Sequence, residues 1–230
     1  MRGLAFNNDA RAEVVRVGRG AFAITLIDNA FIDPEGVVAL GLAQAYTEDR
    51  SNLYPGVRAP LPETLSTALR AWLAPILQRT IQRDSSYFSV VTTAREDLLP
   101  IQRIPHYDSS DPQLFAAVIY LCDPRFGGTS FYRHRRTGYE EISLENQNNY
   151  RIALDNDLRK YGVPEQQYVN GDSSLFEATY SCPLQFNRAI VYPCRALHAA
   201  NIPRGFTPPR NQGEWRLTIT TLLHTSSVDH

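Results

Sequence analysis

Apolar and polar positions alternate along residues 11–32 in the manner of a strand. Val15, Val17, Ala21, Ala23, Thr25 and Ile27 can share one face of a hairpin bent at Gly18 and Gly20. The period then lengthens. Asp33 before Pro34 supplies an N-cap and a first helical position, and Val37, Val38, Leu40, Leu42 and Ala45 carry an apolar stripe to about Tyr46. Ser51–Pro60 reads as loop because two prolines and a glycine interrupt it. A second helix is predicted over about Glu63–Arg83. It buries Leu65, Leu69, Trp72, Leu73, Ile76 and Leu77, with Pro75 placed to kink it.

From Tyr87 onward short β-rich runs dominate: Tyr87–Thr93, Ala116–Leu121, Thr129–Tyr132, Ala189–Pro193 and Leu217–Leu223, separated by Pro, Gly and Asp turns. This pattern predicts a mainly β fold with supporting helices (α+β), a barrel or jelly roll backed by the N-terminal helices. Residues 139–171 interrupt it. They are polar and helix-prone, with a thin stripe of Leu144, Tyr150, Leu154, Leu158 and Tyr161 that Gly162 and Pro164 end. The stretch reads as an insertion between strands, either a lid over a site or a packed peripheral helix. The expected organisation is one domain, 1–230, with residues 1–86 supporting a β core at 87–230.

Composition narrows the partners. The chain of 230 residues is 43% hydrophobic, enough for a sizeable core. Its 23 basic and 24 acidic residues leave a formal net charge of -1, so no global field draws it to nucleic acid or a membrane surface. Cys122, Cys182 and Cys194 are odd in number and form no CxxC pair, which fits neither a disulfide framework nor a zinc ribbon. Polar residues break up the first eighteen positions, and no stretch approaches the roughly 18 apolar residues of a membrane span. A cytoplasmic location is the resulting expectation, with a small-molecule or peptidyl substrate as partner.

The chemistry centres on Ile104-Pro-His-Tyr-Asp108. In an extended segment alternate side chains point the same way, so His106 and Asp108 face a common site while Tyr107 faces away. His198 follows the strand Ala189–Pro193, and a β barrel can return it beside the first pair. Two imidazoles and one carboxylate on one face of an octahedron leave positions open for a chelating cosubstrate and O2, the arrangement of non-haem Fe(II) oxygenases. An H-x-D pair alone is common by chance, but further features follow in order: Ala116-Ala-Val-Ile-Tyr-Leu121, a turn at Asp123-Pro124, Gly127-Gly-Thr-Ser-Phe-Tyr132, and Arg216-Leu-Thr218 after His198.

In that order of motifs, over roughly residues 87–225, the chain resembles the Fe(II)/2-oxoglutarate dioxygenases, in particular the prolyl 4-hydroxylase-like branch. The resemblance implies a double-stranded β-helix with a helical insertion, and metal ligands His106, Asp108 and His198. It further implies that Arg216 pairs with the distal carboxylate of 2-oxoglutarate, with Thr218 and Tyr120 contributing hydroxyls. A guanidinium suits that task because its planar fork grips a carboxylate bidentately. The implied reaction consumes O2 and 2-oxoglutarate, releases succinate and CO2, and hydroxylates an unactivated C–H, with ascorbate as in vitro reductant. Related halogenases leave the carboxylate position as Gly or Ala, so Asp108 points away from halogenation. The span from His198 to Arg216 is longer than this branch usually shows, which leaves Arg210 as a competing anchor.

Each assignment has a plainer reading. Tyr120 can be an ordinary barrel aromatic, and Gly127-Gly128 a tight hairpin turn. His134, in Arg133-His-Arg-Arg136, is either a rival ligand or a solvated residue, and His224 and His230 carry no role. Tyr54, Arg58, Arg133 and Arg135 are candidate contacts for a polar or anionic substrate. Two other functions compete: a non-catalytic barrel acting as a binding module, and a cupin-like metal enzyme. Arg216 speaks against the first, since a binding module has no use for a carboxylate anchor in register with the triad. The cupin reading needs a further histidine near the first pair, and the sequence has none.

Overall fold

In the computed structural model, which describes residues 4–20, 22–48 and 53–227, the predicted hairpin forms from β1 (Ala12–Val17) and β2 (Phe22–Ile27). Ala21, Ser51, Asn52 and His230, which entered the sequence reading, lie outside the described residues. Gly18 and Gly20 turn the hairpin at φ values of 62° and 80°, where a side chain would be strained. The buried face differs from the expected one. Val17 pairs directly with Phe22 and Val15 with Ile24, so the inward set is Val15, Val17, Phe22, Ile24 and Leu26, while Ala23 and Thr25 are only half-buried. A strand's period fixes which residues share a face, but the pairing across the turn sets which faces coincide.

Helix α1 (Pro34–Leu42) starts as predicted, with Asp33 Oδ1 accepting from Gly36 N at 3.0 Å. It stops at Leu42, short of Tyr46. The segment expected as loop contains an edge strand, β3 (Gly56–Pro60), whose terminal proline is tolerated because an edge strand leaves one side unpaired. Helix α2 (Glu63–Leu77) buries Leu65, Leu69, Trp72 and Leu73, each worth about 1.5–3 kcal/mol against exposure. It ends at Leu77 rather than Arg83. Gln78 adopts a left-handed φ of 52° and caps the helix, and Arg79 begins the long strand β4 (Arg79–Val91).

The later strands are β5 (Leu114–Tyr120), β6 (Thr129–His134), β7 (Phe176–Cys182), β8 (Ala189–Pro193), β9 (His198–Ala200) and β10 (Leu217–Ser227), with helix α3 (Gln147–Tyr161) between β6 and β7. All pairings are antiparallel. A seven-stranded sheet runs β1-β2-β8-β5-β10-β4-β3, and a three-stranded sheet runs β7-β6-β9. From β4 onward the chain crosses repeatedly between them. Strand alternation splits β5 accordingly: Ala117 and Ile119 pack with Val37, Leu69 and Leu73 under the helices, whereas Ala116 and Tyr120 face the small sheet with Phe131 and Tyr192. No helix among the described residues is long and apolar enough to cross a membrane.

The predicted insertion helix is present, but its stripe is displaced. Leu144 and Tyr161 are exposed, while Tyr150, Ala153 and Asp157 are buried on the outer face of the small sheet beside Tyr132, Ile142 and Phe176. Asp157 holds the helix down: its carboxylate accepts from Arg136 Nε at 2.6 Å and lies 3.1 Å from His134 Nε2, too far off line there for a good hydrogen bond. His134 Nδ1 meets Thr137 Oγ1 at 3.0 Å. Burial holds the His134 imidazole below the ordinary histidine value, with Asp157 opposing, so this buried ring serves the helix anchor.

Arg136, and secondarily His134, hold the Asp157 carboxyl below the usual carboxylate range. Asp157→Ala should therefore lower stability by roughly 1–3 kcal/mol, the cost of a buried polar group left without its partner. Because the folded pKa is depressed, this contribution is complete above the unfolded value of about 4 and is lost as pH falls through the folded one. Urea denaturation of both proteins from neutral to acid pH measures it. Equal midpoints at neutral pH would mean that apolar packing alone holds α3.

Candidate metal centre

The segment carrying His106 belongs to no named strand, yet it lies along β9 as a fourth, short member of the small sheet. His106 N donates to His198 O at 2.9 Å and His198 N donates to His106 O at 2.8 Å, a reciprocal antiparallel bridge. Residues opposite each other in such a bridge project to the same side, and the two imidazole centroids stand 4.4 Å apart. Asp108, two residues on, returns to that side, and Asp108 N donates to Cys194 O at 2.8 Å. Tyr107 turns the other way, as the alternation predicts, and packs edge-on against Tyr150 of α3 at 6.1 Å.

Asp108 Oδ1 lies 3.7 Å from His106 Nε2, and its Oδ2 lies 3.6 Å from His198 Nε2. One ligand atom from each residue falls within 4.8 Å of the others. These separations are too long for hydrogen bonds, but near the roughly 3 Å that adjacent ligands take around an ion bound at about 2.1 Å. The donor set fits a divalent cation. His198 Nδ1 donates to Ala196 O at 2.9 Å, which places the Nε2 lone pair on the inward side. The turn before His198 is itself braced, since Leu197 N donates to Glu140 O at 2.8 Å at the start of the insertion.

The His106 side chain keeps 48% of its surface open, but that surface faces a cavity rather than bulk solvent. Surrounding protein and the adjacent His198 ring push its pKa down to about 4, with Asp108 opposing. Tyr192 sits edge-on to His198 at 4.7 Å, and burial, then the Asp108 charge, raise its phenol well above the ordinary value.

The cavity above the triad measures about 970 Å³. Arg216 and Thr218 line it from the start of β10, both buried. Arg216 Nε donates to Phe126 O, and its Nη2 to Gly127 O and Gly128 O, each at 3.1 Å. Among the described residues these three bonds leave Nη1 uncommitted. Gly127-Gly128 therefore does more than turn the chain. It joins β5 to β6 across the two sheets, so it is no hairpin; a Cβ at Gly127 would lie 1.8 Å from Asn201 O, and one at Gly128 would lie 1.9 Å from Cys182 O. Thr218 Oγ1 lies 3.4 Å from Ser89 O. Arg210 is exposed on the intervening loop, its backbone N–H on Glu214 Oε2.

The remaining sequence candidates separate. Tyr54 and Arg58 line the cavity, with the Arg58 guanidinium 4.3 Å above the Tyr54 ring and 5.4 Å from that of Tyr87. Burial raises the Tyr54 phenol, while Arg216, Arg58 and Thr218 pull it back, so it belongs to the Arg216 end. Tyr120 sits one layer behind the wall, its hydroxyl 2.8 Å from that of Thr129, which does line the cavity. Arg133 and Arg135 stand away from the cavity lining: the first binds Glu140 and Glu177, the second Asp172 and Ser173 O. Residues of the insertion that sequence reading did not connect to the site, Gln147, Asn148, Arg151 and Leu154, form one wall. Their spacing of three to four residues was the available signal.

The model of a family of unknown function, DUF6445, matches residues 8–223. No curated protein sequence matches the chain. Among solved structures, the chain is similar to SnoN, described as a non-heme alpha ketoglutarate dependent epimerase from nogalamycin biosynthesis, at 11% identity over 90% of this chain and 78% of that one, TM-score 0.48. HygX from Streptomyces hygroscopicus with nickel, 2-oxoglutarate and hygromycin B bound is 12% identical over 87% and 82%, TM-score 0.48. AviO1 from Streptomyces viridochromogenes Tue57 is 13% identical over 94% and 93%, TM-score 0.45.

His198→Ala removes a direct ligand, and loss of an outer partner alone typically costs 10–100-fold in metal affinity, so Ni(II) or Mn(II) should bind at least about 100-fold more weakly by calorimetry. Retained affinity in a folded variant would refute the triad.

Proposed function

This chain belongs to the DUF6445 family, and we propose that it is an Fe(II)/2-oxoglutarate-dependent oxygenase on a double-stranded β-helix, with the motif order of the prolyl 4-hydroxylase-like branch. One observation carries the reading: His106, Asp108 and His198 converge in a cavity that also receives Arg216 and Thr218. The crossing of the chain between two antiparallel sheets from β4 to β10 supports the fold assignment.

His106 Nε2, His198 Nε2 and the Asp108 carboxylate would hold Fe(II), leaving the cavity side of the metal for other ligands. When bound, Fe(II) and 2-oxoglutarate supply O2-dependent release of succinate and CO2 and oxidation of an unactivated substrate C–H, here taken as hydroxylation, with ascorbate as reductant in vitro. Arg216 grips the distal carboxylate of 2-oxoglutarate through the donors its carbonyl contacts leave free, and Thr218 adds a hydroxyl. Tyr120 acts on that pocket through the Thr129 hydroxyl. The glycine-turn carbonyls hold the guanidinium in place, so little rotamer entropy is lost when the dicarboxylate arrives. Tyr192 and Phe131 pack beside His198 and keep water from its far side. Asp108 fills the position a halide would need.

Succinate release with Fe(II), ascorbate and 2-oxoglutarate tests the reaction class, and absence of both 2-oxoglutarate binding and turnover would sink it. A charge-assisted bond is worth about 1.5–3 kcal/mol, so Arg216→Ala should weaken 2-oxoglutarate binding about 10–100-fold. Arg216→Lys should recover part of the loss, and Arg210→Ala should have no effect. A large effect at Arg210 instead would reassign the anchor.

A further inference from the structure

Helix α3 adds a set of lining residues to the cavity that holds the proposed metal and cosubstrate sites. Gln147, Arg151 and Leu154 recur every three or four residues, with Asn148 beside Gln147, and place one stripe of the helix in the cavity lining. The neighbouring stripe, Tyr150, Ala153 and Asp157, is buried against the small sheet or anchored to it, and Tyr150 also reaches the cavity lining.

Guanidiniums outnumber carboxylates among the described residues of the cavity lining. Among the described residues that line it, Asp108 is the one carboxylate, and it is a proposed metal ligand. Three guanidiniums line it: Arg216, Arg58 and Arg151. Arg216 is assigned to 2-oxoglutarate, and Arg58 stacks on two tyrosine rings. Arg151 is exposed at the end of the wall, and its one described hydrogen bond runs from Nη2 to Asn148 Oδ1 at 3.3 Å. None of the described ion pairs includes it, whereas Arg133, Arg135, Arg136 and Arg195 each meet a carboxylate. Apolar side chains, among them Ile104, Val118, Leu154, Val169 and Leu222, line the same cavity. A cation without a counter-ion beside such walls favours an anion carried on an apolar body.

We propose that the substrate of this site is an amphipathic anion, its negative group paired with Arg151 and its apolar body held against Leu154, Val118 and Leu222. The word substrate rests on the oxygenase reading; the anion preference rests on the cavity alone. Asn148 orients the guanidinium, and the Gln147 amide lies one position away to share the anionic oxygens. A carboxylate, sulfonate or phosphate satisfies this chemistry, because each offers two oxygens to a planar fork.

Two fluorescent probes of one skeleton isolate the charge: 1-anilinonaphthalene-8-sulfonate and the neutral N-phenyl-1-naphthylamine. Each is titrated into protein loaded with Ni(II) and 2-oxoglutarate. The sulfonate should bind about tenfold more tightly than the neutral probe, as expected for one charge-assisted contact. Arg151→Gln should erase that preference, and Arg204→Gln, on an exposed loop, should keep it. Asn148→Trp, which narrows the cavity at this wall, should weaken both probes. Equal binding of the two probes, a preference that survives Arg151→Gln, or probes indifferent to Asn148→Trp would each overturn the proposal. Calorimetry of 2-oxoglutarate on the same protein separates the two readings. If the cosubstrate fails to bind while the Arg151-dependent preference persists, the oxygenase assignment falls and the anion site stands; the converse result removes the anion site alone.

Discussion

The pair of backbone hydrogen bonds between His106 and His198 is the contact on which the rest of the site depends. It is a single antiparallel bridge with partners 92 positions apart in the chain, and it does three things at once. It closes the β9 edge of the small sheet, it places two imidazoles on one side, and it fixes the register that returns Asp108 to the same side. Two net hydrogen bonds contribute only about 1–3 kcal/mol, so the bridge does not hold itself. Asp108 N on Cys194 O, Leu197 N on Glu140 O and the packing of Tyr107 on Tyr150 hold it from three directions. A slip of one residue would send both His106 and Asp108 toward α3 and bring Tyr107 to His198.

A second constraint lies where Arg216 enters the cavity lining. Arg216 is a buried cation without a carboxylate among its described hydrogen-bond acceptors, and three carbonyls around the glycine pair solvate it. Such a site is a poor final state for a charge: neutral dipoles satisfy its donors without cancelling it. The arrangement is better suited to a protein awaiting a dianion than to one stabilised by the arginine itself. The glycines permit it, because any side chain at either position would collide with the backbone of the strand or loop alongside.

Much of this was legible in the sequence, for identifiable reasons. His106, Asp108 and His198 could be named because ligand chemistry restricts residue type and strand alternation restricts spacing, and the structure brings all three together. Strands β5, β6, β8 and β10 were foreseen because branched and aromatic residues cluster in them. Strand β7, Phe-Glu-Ala-Thr-Tyr-Ser-Cys, was not foreseen, because Glu, Ala, Ser and Cys are interspersed with its Phe, Thr and Tyr; its pairing with β6 holds it. The first half of β4 read as helix, since its local composition permits one; pairing with the far end of β10 decides otherwise. Arg133 and Arg135 looked available because their acidic partners Glu140, Glu177 and Asp172 are distant in sequence or carry no periodicity. Arg151 was passed over for the opposite reason: a polar helix has many arginines in view of solvent, and only the placement of α3 distinguishes one.

The position of β10 in the large sheet bears on how the molecule is made. It is the last strand among the described residues, yet it lies between β5 and β4, hydrogen-bonded to both, and its start delivers Arg216 and Thr218. Until it arrives, β5 and β4 each present an open edge, and the core under α2 lacks Leu217, Ile219 and Leu223. During synthesis the N-terminal helices and earlier strands can collapse on one another but cannot complete the sheet. Completion of the large sheet thus waits for β10, and until then two strand edges are open to pairing with other chains.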